Sequence, residues 1–254
     1  MPGLFFRSDN IGIDKKPTEK FDVNGVIKTN TSLKIEDPGA GTNQITMQSP
    51  TLAASYTLTL PTSGGQNGQV VTTDGSGNLS FVNATRTIVL SGAGSWPSTT
   101  SGASSPTKIE STTNKQNLQL VDFSDGVTQY TEWTIVMPDN YNGGTITAKF
   151  YWTCGTGSTN SVVWGIQGRA YNTGDLIDQT WGTAQTVTSV GNASANTVVI
   201  SPTSSSITIA GTPQASSLVQ IRAYRDGANG SDTLTATVRL ISVMLKYTTN
   251  QFSD

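Results

Sequence analysis

The side chains that perform most enzyme chemistry are scarce in this sequence. Its 254 residues include no histidine, one cysteine and 17 acidic side chains, of which four are glutamate. Without histidine the chain lacks the usual general base and the commonest metal ligand. The single Cys154 excludes an intramolecular disulfide framework. Because Cys154 ends the strand-like residues 150–153, we interpret it as a small buried hydrophobe.

Paired carboxylates are the catalytic chemistry that this composition still allows. A glycosidase holds its two carboxylates about 5 to 9.5 Å apart, but many of the aspartates here lie in turn-like settings, six of the 13 beside Gly or Asn, where they cap turns. Ca²⁺ binding by Asp175 with Asp178, or by Asp226 with Asp232, is the metal alternative, and neither spacing fits an EF-hand loop. We therefore predict a protein that is not an enzyme, with no metal and no cofactor.

The charge and hydropathy patterns exclude two classes of partner. Charged residues make up 13% of the chain and the net charge is -2, whereas charged residues make up about a quarter of an average soluble domain. Phosphate binding needs clustered Lys and Arg, so we predict no nucleic-acid partner. No apolar run reaches the about 18 residues of a membrane helix, and the first ten residues lack the order of a secretory signal. These features predict no membrane insertion and assembly in a cytoplasm.

Three aromatic residues near predicted turns are the candidate binding residues. Tyr141, Tyr171 and Trp181 have ring faces that stack on sugars, and we predict them as contacts to a glycan or receptor. The same residue types are routine in protein interfaces, because each combines an apolar body with a polar tip. Both interpretations stay open at the level of sequence.

Short β-type runs separated by turn residues make up residues 1–85. Turn pairs such as Asp74 with Gly75 supply the positive φ that tight turns require. Few large side chains accompany these runs, so a single chain would bury too little apolar surface to offset its entropy. We infer burial between identical chains, as in a homotrimer, with a disordered arm as the alternative. The predicted strands are residues 11–13, 21–28, 33–36, 44–48, 56–60, 69–73 and 79–82.

Residues 86–107 are predicted to be a strand and a loop that link two domains. Residues 92–107 are rich in Ser, Gly and Pro, which is typical of a long loop. Trp96 is the only large side chain in this segment. It either anchors the loop against a neighbouring domain, the interpretation we favour, or is displayed for a ligand.

Longer and more apolar strands fill residues 108–254. Turn residues separate them, which is typical of an antiparallel jelly-roll-like β-sandwich. Period-two alternation gives residues 145–153 one apolar face and one polar face. The predicted strands are residues 116–123, 130–137, 145–153, 161–170, 183–189, 197–200, 206–210, 218–225 and 234–247.

The last predicted strand, residues 234–247, changes its apolar face part-way along. Leu234, Ala236, Val238 and Leu240 share one face by alternation, whereas Val243, Leu245 and Tyr247 share the other. A strand that is buried on both faces needs a cover beyond its own partner sheet. We therefore expect the N-terminal region or a neighbouring subunit to cover this strand.

The turn-rich residues 58–81, LTLPTSGGQNGQVVTTDGSGNLSF, carry a resemblance to a known family. They resemble a segment that recurs in bacteriophage tail-fibre and other virion appendage proteins, except that Leu79, Ser80 and Phe81 replace an ending in Trp. Residues 10–13, NIGI, and 17–25, PTEKFDVNG, resemble the opening of the same proteins. The resemblance covers roughly the first third of the chain and implies a trimeric virion protein.

A second, weaker resemblance lies in the C-terminal part. Residues 133–138, WTIVMP, residues 222–227, RAYRDG, and residues 232–234, DTL, are similar to a domain type of phage structural proteins. That resemblance implies a trimeric jelly roll and transfers no catalytic residue.

The expected function is that of a non-enzymatic tail fibre or short fibre located in the virion and assembled in the host cytoplasm. Residues 1–85 would anchor the fibre to other virion proteins of the tail, baseplate or capsid, and the sandwich would attach to the host surface, with a host glycan as the candidate receptor. The alternatives are a capsid decoration or head-fibre protein and, more distantly, a secreted lectin. The predicted docking residues are Leu4, Phe5, Phe6, Phe21, Val23 and Ile27.

Overall fold

The computed structural model describes residues 5–7, 10–12, 32–36, 44–48, 50–52, 54–66 and 68–250. It divides the chain into two compact units, Met1–Tyr56 and Thr57–Asp254. In the described ranges the regular structure is β-strand apart from one 3₁₀ helix, Gly92–Gly94. The predicted all-β fold class is confirmed. No helix within these ranges has the length and hydropathy to cross a membrane.

The described residues of the first unit form two antiparallel strand pairs. Strand β1 (Phe5–Arg7) pairs with β2 (Asn10–Gly12), and β3 (Ser32–Glu36) pairs with β4 (Gln44–Gln48). In the β3–β4 ribbon, Leu33 lies opposite Met47 and Ile35 lies opposite Ile45. Cross-strand partners share a face, so these four side chains form one apolar face, on which each is 45–68% exposed. We call it the ribbon's apolar face.

The second unit begins with a hairpin at the Asp-Gly turn that the sequence predicts. Strands β5 (Gln69–Thr73) and β6 (Leu79–Asn83) pair in antiparallel register. The Asp74 carboxylate accepts hydrogen bonds from the backbone N–H of Ser76 at 2.8 Å and from the Asn78 side-chain amide at 2.7 Å. These bonds, above all that from Asn78, hold the pKa of Asp74 below its ordinary value. The turn is therefore closed by side chains within its own sequence.

The predicted strand at residues 56–60 is wrong. Only Thr59 makes a bridge, a parallel one to Asn78, through its N–H to the Gly77 carbonyl and its carbonyl to the Leu79 N–H. Its partner is a turn rather than an extended strand, and Pro61 follows without an N–H donor. The segment therefore has no ladder along which to continue.

Strands β7 to β17 form a sandwich of two antiparallel sheets. In the first sheet the order is β15-β12-β17-β10-β9, with β7 also paired to β17, and in the second it is β14-β13-β16-β11-β8. From β10 to β17 the chain passes from one sheet to the other at every step except between β13 and β14, which pair within the second sheet. The two antiparallel sheets confirm the predicted sandwich. The bounds are β7 (Thr85–Ser91), β8 (Trp96–Pro97), β9 (Thr107–Glu110), β10 (Asn117–Phe123), β11 (Thr128–Val136), β12 (Thr147–Cys154), β13 (Ser161–Tyr171), β14 (Gln185–Val190), β15 (Val199–Ile200), β16 (Leu218–Asp226) and β17 (Val238–Thr248).

Aromatic rings from both sheets meet in the core. Trp164 of the second sheet stacks on Phe150 of the first, with centroids 5.3 Å apart and planes at 10°. The edge contacts of Trp164 with Phe123 and Trp152 complete the cluster. The face of residues 145–153 that the sequence predicts to be apolar is the one that packs here.

The segment predicted as a strand and a loop, residues 86–107, contributes strands to both sheets. Strand β7 pairs with β17 along seven residues, from Thr85 opposite Thr248 to Ser91 opposite Ser242. The 3₁₀ helix then carries the chain across to the second sheet, where β8 pairs with β11. Trp133 Nε1 donates to the Ser91 carbonyl at 2.8 Å and holds this crossing in place. The low-complexity composition hides these contacts because they are made by backbone groups.

Strand β17 is not buried on both faces, which corrects the expectation of an outside cover. Trp152 lies opposite Leu240 and Tyr151 lies opposite Ser242, so Ile241 is the extra residue of a β-bulge. An extra residue reverses the side-chain alternation beyond it. Val238 and Leu240 before the bulge, and Val243, Leu245 and Tyr247 after it, therefore all enter the same core.

The predicted strand at residues 206–210 is also absent. Its backbone bonds divide between the sheets: Ile207 bridges to Ile146 beside the first, whereas Ala210 bridges to Arg169 in the second. The segment spans the edge of the sandwich, with Ile207 and Ile209 buried. The side chains of this segment alternate as in a strand, but no single neighbouring strand pairs with it along its length. The other predicted strands of the sandwich are present, with ends that differ by a few residues.

Residues 222–234 contain a buried ion pair between Arg225 and Asp232. The Arg225 side chain is fully buried and binds the Asp232 carboxylate twice, from Nε at 3.0 Å and from Nη2 at 2.7 Å. Its remaining donors reach the carbonyls of Leu234 and Ala236, the latter at 2.7 Å. Asp232 also accepts from the Val163 N–H at 3.0 Å. Arg225 thus ties the loop before β17 to the sandwich.

Candidate functional site

The outer face of the second sheet carries one row of polar and aromatic side chains. Gln167 of β13 lies opposite Arg222 of β16, Arg222 lies opposite Glu132 of β11, and Glu132 lies opposite Trp96 of β8. Directly opposite residues share a face. We call these four residues the Arg222 row. It crosses four adjacent strands and is therefore about 14 Å long.

Arg222 contacts two aromatic rings. Its guanidinium lies 4.6 Å from the centroid of the Tyr130 ring and 4.4 Å from that of the Trp181 ring. With its amide oxygen facing Arg222, Gln167 accepts from Arg222 Nε at 2.7 Å and donates to the Gly182 carbonyl at 3.3 Å. The two cation–π contacts and the bonds to Gln167 together restrict the Arg222 side chain. Arg222 therefore positions the Tyr130 and Trp181 rings on this face.

A second aromatic pair lies beside the Arg222 row. The rings of Tyr130 and Tyr224 are 5.3 Å apart. Tyr224 covers Gly165 of β13, where an added Cβ would lie 2.0 Å from the ring. Burial, reinforced by the negative charge of Asp226, raises the pKa of Tyr224. Glycine at position 165 thus lets the Tyr224 ring lie flat on the sheet.

Glu132 begins a chain of hydrogen bonds across the same face. It accepts from Ser98 Oγ at 2.7 Å and from Gln220 Nε2 at 2.9 Å. Gln220 Oε1 in turn accepts from the Tyr171 hydroxyl at 3.3 Å. A groove of about 510 Å³, lined by residues 171–173 and 214–218, continues from Tyr171 at the end of the sheet. Planar polar groups therefore extend from Trp96 toward this groove.

Trp96 is displayed, and the favoured sequence interpretation of this residue as an anchor is wrong. Its side chain is 79% exposed at the edge of the sheet. The preceding Ser95 is buried and accepts a hydrogen bond from Thr131 Oγ1 at 2.7 Å. Because alternate residues of an extended segment point to opposite sides, the burial of Ser95 directs Trp96 outward.

The predicted glycan contacts do not all lie together. Trp181 and Tyr171 lie on the outer face described above. Tyr141 is 1% exposed, its hydroxyl donates to the Gly144 carbonyl and its ring meets Tyr247 edge-on. Burial raises the pKa of Tyr141 to about 12. This position corrects the prediction for Tyr141, which offers no ring face to a ligand.

The predicted docking residues lie mainly outside the described residues. Leu4, Phe21, Val23 and Ile27 fall outside them, whereas Phe5 and Phe6 belong to β1. Docking at these positions stays a prediction.

Three of the aspartates considered as Ca²⁺ ligands make hydrogen bonds or an ion pair within the chain. Asp175 accepts from the Asn172 N–H at 2.9 Å, Asp226 accepts from Thr128 Oγ1 at 2.8 Å, and Asp232 pairs with Arg225. Over the described part of the chain, no three acidic or thiol side chains gather closely enough to hold a metal ion. Asp175 and Asp226 bond within or beside turns, and Asp232 completes an ion pair.

Sequence reasoning missed Tyr130, Glu132 and Arg222. The sequence prediction considered aromatic residues near turns, whereas Tyr130, Glu132 and Arg222 lie within strands whose opposite face packs in the core. The available signal was alternation: Trp133 and Ile221 are core residues, so their neighbours Glu132 and Arg222 must point outward. Alternation alone does not tell which strands are neighbours.

Comparison with known proteins identifies no family. No protein-family model matches the chain, and no curated protein matches its sequence. Among solved structures, a family 35 carbohydrate-binding module from Clostridium thermocellum is 14% identical with a TM-score of 0.38, covering 66% of this chain and 99% of the module. The family 11 module of the same organism, in complex with a β-1,3-1,4-mixed-linked tetrasaccharide, is 11% identical with a TM-score of 0.31, covering 74% and 99%.

A viral structure is similar at the same level. The structure of infectious bursal disease virus, Gx strain, is 13% identical with a TM-score of 0.32, covering 91% of this chain and 54% of the viral chain. These likenesses concern the β-sandwich alone, and they identify no phage tail fibre.

Proposed function

We propose that this chain is a non-enzymatic structural protein of a bacteriophage virion. It forms a homotrimeric tail fibre that is anchored through its N-terminal region and displays the sandwich for attachment to the host surface. The resemblance of residues 10–13, 17–25 and 58–81 to phage appendage proteins supports the virion assignment. A role as a capsid decoration or head-fibre protein is the alternative location for the same trimer.

The ribbon's apolar face is the observation that carries this proposal. Leu33, Ile35, Ile45 and Met47 are all exposed in a ribbon that, among the described residues, has two strands. An isolated two-stranded ribbon is at best marginally stable in water and needs a hydrophobic cover. In a symmetric homo-oligomer, the apolar faces of identical ribbons on neighbouring chains bury one another. No additional covering segment is then needed in the sequence.

The exposed side chains of the second sheet support a binding role for the sandwich. Trp96 is solvent-facing beside Glu132, and Tyr171 and Trp181 lie on the same face. A trimer presents three such faces on one particle. Weak contacts made by three copies together become a strong attachment through effective concentration.

The oligomeric state tests the proposal directly. We expect the purified full chain to have three times the mass of the 26.7 kDa monomer in light scattering coupled to size-exclusion chromatography. The double variant Ile35→Ser/Ile45→Ser removes one cross-strand apolar pair and should shift the protein toward monomer. Lys34→Ser/Thr46→Ser alters the neighbouring pair on the opposite face and is the matched control. A parent chain that is monomeric at micromolar concentration would contradict the trimer.

Binding to host cells separates the two locations on the particle. Purified tail-fibre protein should adsorb to host cells and compete with infection by the phage. A capsid decoration protein should do neither, although it would still have the trimer mass. Labelling of intact particles with an antibody against the sandwich then locates the protein on the tail or on the head.

A further inference from the structure

We propose that the Arg222 row, with its exposed Trp96, binds a neutral oligosaccharide laid across the strands of the second sheet. This inference rests on the proposed function, which gives the sandwich a surface polysaccharide to meet. It assigns the ligand class and adds Trp96 and Glu132, neither of which the sequence placed among the glycan contacts.

The side chains of this face match the two kinds of surface that a sugar presents. The apolar C–H face of a pyranose ring stacks on an aromatic ring, and Trp96 has such a ring open to solvent. Hydroxyl groups at the ring edge pair with planar polar side chains. Each carboxylate oxygen of Glu132 accepts one hydrogen bond within the chain, and a carboxylate offers about four acceptor sites. Acceptor sites therefore remain for sugar hydroxyls beside the Trp96 ring.

The charges on this face favour a neutral ligand over an acidic one. The Arg222 guanidinium contacts the Tyr130 and Trp181 rings and is bonded to Gln167. The Arg169 side chain is only 14% exposed, and its Nη2 lies 4.0 Å from an Asp175 carboxylate oxygen. Glu132 lies directly opposite Trp96, so a sugar carboxylate stacked there would meet a like charge at close range. A neutral sugar meets no such repulsion.

The dimensions of the face indicate an extended ligand. The Arg222 row is about 14 Å long, which exceeds one sugar ring and suits a short oligosaccharide. The hydrogen-bond chain through Gln220 to Tyr171 leads on to the groove at residues 171–173 and 214–218. We therefore expect affinity to rise with the number of sugar units until the face is filled.

Tryptophan fluorescence of the full chain tests this proposal. Of the five tryptophans, Trp133, Trp152 and Trp164 are buried in the core, so changes in emission on binding report on Trp96 and Trp181. The probes are linear gluco-, galacto- and manno-oligosaccharides of two to six units, with oligogalacturonates of equal length as the acidic series. We expect saturable binding of at least one neutral series, tightening with length, and at least about tenfold weaker binding of the galacturonates.

Three variants locate the site. Trp96→Ala should weaken binding at least about tenfold, whereas Trp96→Phe keeps an aromatic face and should retain most of the affinity. Because Trp96 is itself a reporter, affinities of the variants are measured by isothermal titration calorimetry. Tyr151→Ala removes a half-buried aromatic residue from the outer face of the first sheet and should leave the affinity unchanged.

Three outcomes would overturn the proposal: no neutral series binds, the galacturonates bind as tightly as neutral sugars, or Trp96→Ala binds like the parent. The trimer mass and the adsorption to host cells are measured separately. If the chain adsorbs to cells as a trimer but binds no neutral sugar, the ligand class is overturned while the attachment function stands.

Discussion

At the scale of single residues, the buried pair of Arg225 and Asp232 makes the sandwich sensitive to substitution. Both side chains are fully buried and bonded twice. Without the Asp232 charge, the buried Arg225 guanidinium keeps only the partly exposed Asp125 carboxylate, 3.4 Å away, as an acidic partner. Breaking a buried pair costs about 3 to 5 kcal/mol. Asp232→Asn should therefore lower the free energy of unfolding by about that amount in urea titrations.

An exposed pair supplies the control for Asp232→Asn. Lys115 and Glu110 approach to 3.5 Å with both side chains well exposed, and exposed pairs contribute about 0 to 1 kcal/mol. Glu110→Gln should thus change the stability little. Equal losses in the two variants would mean that Arg225 is not confined to the interior.

The phenol of Tyr141 should make the fold sensitive to alkali. Its pKa is raised to about 12 by burial, whereas an unfolded tyrosine ionises near pH 10. As pH rises, the unfolded chain loses this proton first, so the stabilisation is complete below about pH 10 and is lost progressively toward pH 12. The loss should be on the order of 2 kcal/mol in urea titrations across that range.

Tyr141→Phe should flatten this part of the stability profile, because it removes the ionising group while keeping the ring. Tyr56→Phe changes an exposed ring and should leave the alkaline decline in place. A decline of equal steepness in Tyr141→Phe would assign the alkali sensitivity to other residues.

At the scale of elements, the bulge in β17 decides which residues form the core. Leu240 and Leu245 lie on either side of Ile241 at a spacing that a regular strand would place on opposite faces. Both are nonetheless buried. Leu240→Ala and Leu245→Ala should each lower the free energy of unfolding by about 2 to 5 kcal/mol.

Met244 lies between the two core positions Val243 and Leu245. It is the control for the assignment of the core-facing side chains after the bulge. It faces outward and is only half-buried, near the Tyr151 hydroxyl. Met244→Ala should reduce the stability measurably less than Leu245→Ala in the same denaturant series. Equal losses would contradict the reversal of alternation at Ile241.

At the scale of the whole molecule, the boundary of the independent unit lies well before the low-complexity segment. A fragment of residues 57–254 contains the whole second unit and should unfold cooperatively in thermal scans followed by circular dichroism. A fragment of residues 92–254 lacks β7, which pairs with β17 and inserts Leu90 into the core. The shorter fragment should melt at a clearly lower temperature or aggregate through its unpaired edge. Equal melting temperatures would show that β7 contributes little to the fold.

The sequence predicted those features of the fold that depend on residues close together in the chain. The hairpin at Asp74 follows from turn chemistry that is complete within a few residues. The apolar face of residues 145–153 follows from alternation in one strand. The all-β class and most strands of the sandwich follow from the same two signals repeated along the chain.

Tertiary structure alone decided which distant residues meet. Trp96, Glu132, Gln167 and Arg222 form one row only because β8, β11, β16 and β13 are neighbours in a fixed register. Register is set by packing and by single insertions such as Ile241, which reverse every side chain beyond them. Tyr141 shows the converse, since its place near a turn predicted exposure and the fold buried it. The sequence by itself determined the kinds of strand and turn, and packing between strands determined which face holds the site.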